Sequence, residues 1–542
     1  MSHTVMKTAP SAFVEKRKPK KGFLTIALVI IFICQFAILC YFNCTQLRKH
    51  MGYDSSWNTL RATLIWNEKT LISPEWSETT NLHLDTPMSI ASLLYGLTGN
   101  ALLSFGLADI LAVVLLLLMM WKILARMDVG FKARMIALNL VICPYLTTGF
   151  TIYNDLGYFS CLLSGASFYS LRTLFMLMIF YEFLKIVQDH KIGVFGWFLC
   201  PVCLLSGFST GIYLIIIMLV PYLAYELEMV AIRNDWKQLI RKESLFAYVC
   251  CGFVVAGKVL AMTSVHFVAM DSSRGWTSYE NLWKNFGAVI QGFLKLLQAL
   301  PETVNAVMSV TGFLRLFALA IFVLIVAAFI SIFRRTRKEA TERDGASLLL
   351  LNIILLNLLV FGLFNVQYGA TVFEERYLIT TFIAAVLIVA LFFDGLNNQK
   401  ALSVMLSLGI TVSVLVVDVH SDVNYLRMTN EEWQMDEIQA LAEEQNAGVV
   451  YFWGDDLAVI GRALRPCDLK RIYKELPDQG GFFIHWGDYT IYDNQEEFVG
   501  PTLLVCPRDR NLVPERVLKE YTLLAELDQV KVYGSDRNVK LF

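Results

Sequence analysis

The chain is short of charge. Only 17% of its 542 residues are Asp, Glu, Lys or Arg, against about 25% in a soluble globular protein. It has almost no net charge either, 46 basic side chains against 47 acidic ones, so no global basic field marks it for nucleic acid. Its 11 cysteines are too few for a disulfide scaffold. The seven histidines form no H-x-x-H or H-E-x-x-H pair, which argues against a zinc site. There is no nucleotide-binding fingerprint, and no internal repeat of the kind that builds many transporters. What it has in excess is apolar residues, 56% of the total. That balance excludes an ordinary cytosolic enzyme, a disordered chain and a fibrous protein, and points to a polytopic membrane protein with a sizeable water-soluble part.

A bilayer core takes about 20 mainly apolar residues per helix. Gly22 to Leu47 carries no charge and is too long for a signal-peptide core. Further apolar stretches fall at 104–121, 135–151, 168–184, 193–208, 212–227, 244–265, 313–333, 346–365, 378–393 and 401–418. The expectation is therefore about 11 transmembrane helices. Only Gly207, Ser209 and Gly211 separate the two runs within 193–227. With the N-terminus inside, the inner segments carry 22 Lys/Arg in 73 residues and the outer loops 8 in 121, as the positive-inside rule requires. The basic tail 1–21 is then cytoplasmic, the membrane domain spans 22–418 with outer loops 48–85 and 264–312, and residue 419 onward lies outside the plasma membrane.

Residues 419–542 change character. A helix is predicted over Asn430–Gln445, with acids in its first turn, and β-like runs at Val449–Trp453, Phe482–Trp486, Thr502–Cys506 and Val530–Tyr533. These predict a small extracytoplasmic α/β domain. Cys467 and Cys506 are its only cysteines, and an oxidising exterior would let them pair.

The first outer loop holds the most informative chemistry. Trp57, Leu60, Leu64 and Ile65 recur at helical spacing, which predicts an amphipathic helix along the interface. Asp54 stands just before it, in the place of a cap. Leu84-Asp85-Thr86-Pro87 closes the loop. Ionisable groups within spans are costly and are functional candidates by default. Asp109, Arg172, Lys258, Arg315 and Arg376 all fall toward the outer side, at a depth similar to Asp54 and Asp155. The plainer reading of these charges is snorkelling with helix–helix salt bridges, such as Asp109 with Arg172. Lys258 is the only charge in a 22-residue run and needs a partner.

This layout resembles the GT-C class of membrane glycosyltransferases, such as protein O-mannosyltransferases and lipid A aminoarabinose transferases. The matching positions are the first-loop acid Asp54, Pro87 opening the re-entering helix, Asp155 in Tyr153-Asn154-Asp155, and Glu375-Arg376-Tyr377-Leu378 near the last helices. The resemblance implies sugar transfer from a polyprenyl-phosphate donor to a glycan, lipid or protein acceptor at the outer face, with the lipid bilayer as the second partner. It implies Asp54 as general base assisted by Asp155, with Glu375 and Arg376 near the donor, and the charge pattern adds Lys258 and Arg172 as further candidates around the donor phosphate. A divalent metal is compatible with the class, but Asp54 is followed by Ser55 and Ser56 rather than by a second acid. The rival functions are a flippase for a lipid-linked glycan, whose charges would run through the full membrane depth, and a non-catalytic envelope-assembly protein.

Three other motifs lead nowhere chemical. Gly207-Phe208-Ser209-Thr210-Gly211 fits G-x-S-x-G, but it lacks the strand–turn–helix setting of a nucleophile elbow and predicts a tight turn between helices. Cys200-Pro201-Val202-Cys203 lies within a span and predicts packing cysteines beside a proline kink. Segment 280–300 carries an apolar stripe at helical spacing and is expected to rest on the outer membrane surface.

Overall fold

The computed structural model describes residues 22–50, 53–73, 76, 81–143, 162–164, 167–265, 267, 275–296, 308–336, 341–365, 375–396, 402–409, 411–412, 434–457, 460–461, 464–476, 498–509, 513–539 and 541. The helices of the membrane part are α1 (Phe23–Tyr41), α2 (Tyr53–Glu68), α3 (Met88–Thr98), α4 (Ala101–Arg126), α5 (Phe131–Ile142), α6 (Ser170–Asp189), α7 (Val194–Thr210), α8 (Val220–Arg233), α9 (Lys242–Ser264), α10 (Leu282–Leu296), α11 (Val310–Thr336), α12 (Glu342–Leu363) and α13 (Ile379–Gly395). A π turn extends α1 to Gln46, another (Ile215–Leu219) leads into α8, and a 3-10 turn (Glu375–Leu378) opens α13.

Every expected apolar stretch carries helix where it is described. Among the described residues, six helices are long and apolar enough to cross a bilayer: Phe23–Gln46, Ala101–Arg126, Ile215–Arg233, Lys242–Ser264, Glu342–Leu363 and Glu375–Gly395. The chain is a multi-pass membrane protein. The 193–227 region does divide in two, at Gly211, whose backbone sits at φ +72° where side-chain-bearing residues are strained. Pro201 lies inside α7 with Cys200 and Cys203 buried around it, as packing cysteines should be. Pro87 precedes α3, which ends at a left-handed Gly99; Asn100 then caps α4 by accepting from the Leu103 amide at 3.0 Å. The re-entering segment is thus a helical hairpin rather than one span.

α7 and α9 pack backbone to backbone. A Cβ at Gly207 would fall 2.0 Å from the Val254 carbonyl oxygen, and one at Gly257 would fall 2.1 Å from that of Leu204. Only glycine permits this approach.

The C-terminal part contains α14 (Met435–Glu444), α15 (Glu515–Leu518) and a five-stranded sheet of β3 (Val449–Trp453), β4 (Ile472–Leu476), β5 (Thr502–Pro507), β6 (Thr522–Glu526) and β7 (Val530–Ser535). A separate two-residue pair, β1 (Gly275–Trp276) with β2 (Phe364–Asn365), ties the loop before α10 to the end of α12. The sheet order is β4-β3-β5-β7-β6, with β3 parallel to both neighbours and β7 antiparallel to β5 and β6. The all-apolar run Val449–Trp453 is buried at every position, as a strand between two others should be. The predicted strand Phe482–Trp486 lies outside the described residues.

Three expectations need correction. Cys467 and Cys506 form no disulfide; each sits in packed surroundings, and burial pushes both thiols up to about 11. α2 does not lie half in lipid: Ser55–Leu64 is buried apart from Trp57, because the C-terminal part covers its outer side. Leu60, Leu64 and Trp76 pack with Ile472 of β4, while Ala62, Met88 and Ala91 share a core with Met435, Ile438 and Val450. Arg48 adds an ion pair to Asp436 (2.6 Å) and a hydrogen bond to Gln439 (2.6 Å). The third concerns α10, whose Val289, Phe293 and Leu296 are buried in the protein, with Phe286 against Gly362. Only Trp283, Ile290 and the preceding Tyr279 present an exposed apolar face.

Candidate active site

The end of α7 organises a polar pocket. Past the Gly207 crossing, Ser209 and Thr210 present two hydroxyls and a carbonyl just before the Gly211 turn. The irregular segment Leu82–Asp85 docks there. The Leu82 amide donates to the Ser209 carbonyl (2.9 Å), and the Asp85 amide donates to Ser209 Oγ (2.9 Å). Ser209 Oγ in turn donates to Asp85 Oδ1 (2.7 Å), and Thr210 Oγ1 donates to Oδ2. The G-x-S-x-G segment is therefore a carboxylate cradle.

Asp85 is fully buried and needs a cation. Arg172, in the first turn of α6, supplies it through Nε (3.3 Å). The Arg172 Nη2 donates to His83 Nδ1 (2.9 Å), and the guanidinium lies over Tyr169 (5.6 Å) and Tyr213 (5.8 Å). Arg172 pairs with Asp85 and not with Asp109. Asp109 takes a hydrogen bond from Ser167. The pairing was hidden because 87 residues separate the partners.

Two further cations reach this region. The glycine crossing carries Lys258 to the end of α7, where its side chain borders Gly211 and its Nζ sits 5.7 Å from the Phe267 ring. Among the described residues Lys258 forms no ion pair. Arg376 lies in the 3-10 turn before α13, its guanidinium over Tyr377 (5.7 Å). The Tyr377 ring meets Tyr169 edge-on at 6.4 Å, and the charges of Arg376 and Arg172 both act on the Tyr169 hydroxyl. Glu375 is half-buried in the same turn. Arg172 and Lys258 thus both reach the end of α7, and Arg376 connects to Arg172 through the rings of Tyr377 and Tyr169.

Asp54 is the second residue of α2, inside the helix rather than before it, so the capping position predicted for it does not hold. One turn on, Trp57 packs with Trp76 (5.7 Å) and His83 (5.2 Å), and Arg61 lies over both tryptophans while donating to the Leu82 carbonyl (2.6 Å). Asp155 and the side chains of Asp54 and Arg315 lie outside the described residues. Among the described residues no three His, Cys, Asp or Glu side chains gather as metal ligands. Sequence reasoning missed Asp85, His83, Ser209 and Thr210. The available signal was an acid placed two residues before a helix-opening proline, in a chain with surplus cations at one depth.

No protein-family model matches the chain, and neither does any curated protein. Solved structures do. The crystal structure of ArnT from Cupriavidus metallidurans bound to undecaprenyl phosphate aligns with a TM-score of 0.52 at 10% identity, over 96% of this chain and 99% of that one. The apo-state structure of the same protein aligns at 0.44 with 12% identity, over 95% and 98%. The chain has the GT-C fold. The alignment runs nearly end to end, so the C-terminal sheet belongs to the shared architecture along with the helices. Within that fold, Asp85 is buried at the end of α7 with Arg172, Ser209 and Thr210 around it.

Proposed function

We propose that the protein is a membrane glycosyltransferase that moves a sugar from a polyprenyl-phosphate donor to an acceptor hydroxyl at the outer face of the membrane. The observation that carries this reading is the placement of Arg172 and Lys258 at the end of α7, with Arg376 linked to Arg172 through the rings of Tyr377 and Tyr169. Cationic side chains beside apolar helices suit a phosphate that arrives through the lipid. The fold it shares with an ArnT bound to undecaprenyl phosphate supports the same donor class.

In this reading Asp54, at the start of α2, takes the proton from the acceptor hydroxyl. The acceptor oxygen bonds to the anomeric carbon as the bond from that carbon to the phosphate oxygen breaks, and the electron pair leaves with the phosphate. Lys258 and Arg376 stabilise the charge that develops there. Arg172, held by Asp85, sets the floor of the phosphate site. Asp155 orients the acceptor, and Glu375 positions Arg376.

The deciding variant is Asp54→Asn. Sugar transfer from the polyprenyl-phosphate donor, measured with purified protein in lipid, should fall by at least about 100-fold with unchanged expression and thermal stability. Retained transfer removes Asp54 as the base. Movement of an intact lipid-linked glycan across the bilayer without transfer would make the chain a flippase instead.

A further inference from the structure

We infer that the turn joining α8 to α9 is a docking surface for anionic phospholipid, with Trp236 and Ile240 seated among the headgroups and Arg233 and Lys237 on their phosphates. The turn is a 3-10 helix over Trp236–Ile240. It connects two of the membrane-crossing helices, Ile215–Arg233 and Lys242–Ser264, so it lies at a bilayer surface. Trp236 is 72% exposed and Ile240 70%. Ile232 and Leu245, on the adjoining helical turns, are exposed as well, which continues apolar surface from both spans into the turn. Tryptophan favours that boundary because its ring is apolar and its N–H seeks a polar partner. The surface stands at the opposite end of α7 from Ser209 and Thr210, about 20 Å along the helix, because Lys242 Nζ donates to the His190 carbonyl (2.8 Å) and so brings the α6–α7 loop beside it. It is separate from the pocket around Asp85.

A buried acid holds the turn in place. Glu226 of α8 is fully buried. Gln238 Nε2 donates to its Oε2 (2.9 Å), and Ser244 Oγ bridges that oxygen (2.8 Å) and the Gln238 carbonyl (2.9 Å). Gln238 is the turn's one buried side chain. Burying a polar group is costly unless it is bonded in this way, and the bonds fix a turn that leaves Trp236 and Ile240 outside. The one acid of the turn is committed: Asp235 accepts from the Lys237 amide (3.0 Å) and pairs with Arg241 (2.9 Å). Asp189 pairs with Arg126 (2.6 Å), and Glu243 occupies the first turn of α9, where the helix dipole favours an acid. Among the described residues Arg233, Lys237 and Lys191 of the α6–α7 loop are exposed and form no ion pair. Unpaired cations flanking an exposed tryptophan at a bilayer surface match an anionic headgroup rather than a zwitterionic one.

The test reads Trp236 directly. Full-length protein carrying fluorotryptophan is placed in nanodiscs of mixed phosphatidylcholine and phosphatidylglycerol, and the ¹⁹F resonance of Trp236 is identified by its loss in W236F. A trace of nitroxide-labelled lipid with one headgroup or the other is then added, and the broadening is compared. Labelled phosphatidylglycerol should broaden the resonance about fivefold or more above labelled phosphatidylcholine, the enrichment that one cation near an anionic surface provides. In R233Q/K237Q, whose exposed positions leave the melting temperature unchanged, the two labels should become equal. Equal broadening in the wild type, or a preference for phosphatidylglycerol that survives in R233Q/K237Q, overturns the assignment of these cations to headgroup phosphates. A resonance that neither lipid broadens places the turn in water or under another protein and overturns the docking surface altogether.

Discussion

Two buried arginine–carboxylate pairs occupy the two halves of this molecule, and they differ in what surrounds them. In the C-terminal sheet Arg465 pairs with Glu475 at 2.8 Å, with 7% and 0% of the side chains exposed. The partners are ten residues apart, and Arg465 Nε also donates to the Tyr473 carbonyl (3.1 Å). In the membrane part Arg172 and Asp85 are equally buried, at 6% and 0%, but their contact is longer, 3.3 Å. The carboxylate there is shared with two hydroxyls and the guanidinium with an imidazole and two aromatic faces, and Lys258 and Arg376 stand close by. The first pair is a local brace. The second is a hub that joins α6, α7 and the loop before α3. A buried ion pair by itself is weak evidence of function; the company it keeps separates the two cases.

The comparison breaks most decisively at the carboxylates. Removing one partner of a buried pair costs about 3–5 kcal/mol by stranding the other charge, so Asp85→Asn and Glu475→Gln should both lower stability by that order in denaturation experiments. They should part in activity. Per folded molecule, Glu475→Gln should transfer sugar at the wild-type rate, whereas Asp85→Asn should lose about 100-fold or more as Arg172 and His83 lose their anchor. Equal activity losses would erase the distinction drawn here.

Lys258→Met should act in the opposite sense to the braces. Loss of one charge-assisted contact to phosphate is worth about 1.5–3 kcal/mol, a rise in KM of roughly 10–100-fold. Melting temperature should hold or rise, because a lone ammonium among apolar helices is costly. A marked fall in stability would reassign Lys258 to packing.

The smallest effect concerns the thiols of the sheet domain. Reductant, or the double variant Cys467→Ser/Cys506→Ser, should change the melting temperature little, since no cross-link constrains the unfolded chain. With both thiols pushed up to about 11, maleimide labelling should be slow at neutral pH and speed up as the pH rises toward that value, because the thiolate is the reacting form. A reductant-sensitive melting temperature would show a disulfide after all.

Much of the helical frame was legible because a bilayer imposes length and polarity on each span. Arg172, Lys258 and Arg376 were legible for the same reason: a charge next to or within an apolar run has few uses. The hub was not. Asp85 and His83 lie in a short irregular segment with no periodicity, and their meaning comes from Ser209, Thr210 and Arg172, which only the fold delivers. The G-x-S-x-G stretch shows the limit from the other side. It was readable as a turn, which falls only at its last residue, Gly211, while Gly207–Thr210 close α7, and its hydroxyls acquire a purpose only when a carboxylate 124 residues away arrives. α2 taught a similar lesson, since its apolar spacing predicts a helix equally well under lipid or under a protein sheet.

The glycine contact between α7 and α9 sets a spacing in the pocket that side-chain motion cannot alter. Main chain rests on main chain at Gly207 and Gly257, so the ammonium of Lys258 and the hydroxyls of Ser209 and Thr210 are mounted on a single rigid strut. A ligand entering between them would find that wall already at its final width. Any change in that width must then come from elements other than α7 and α9.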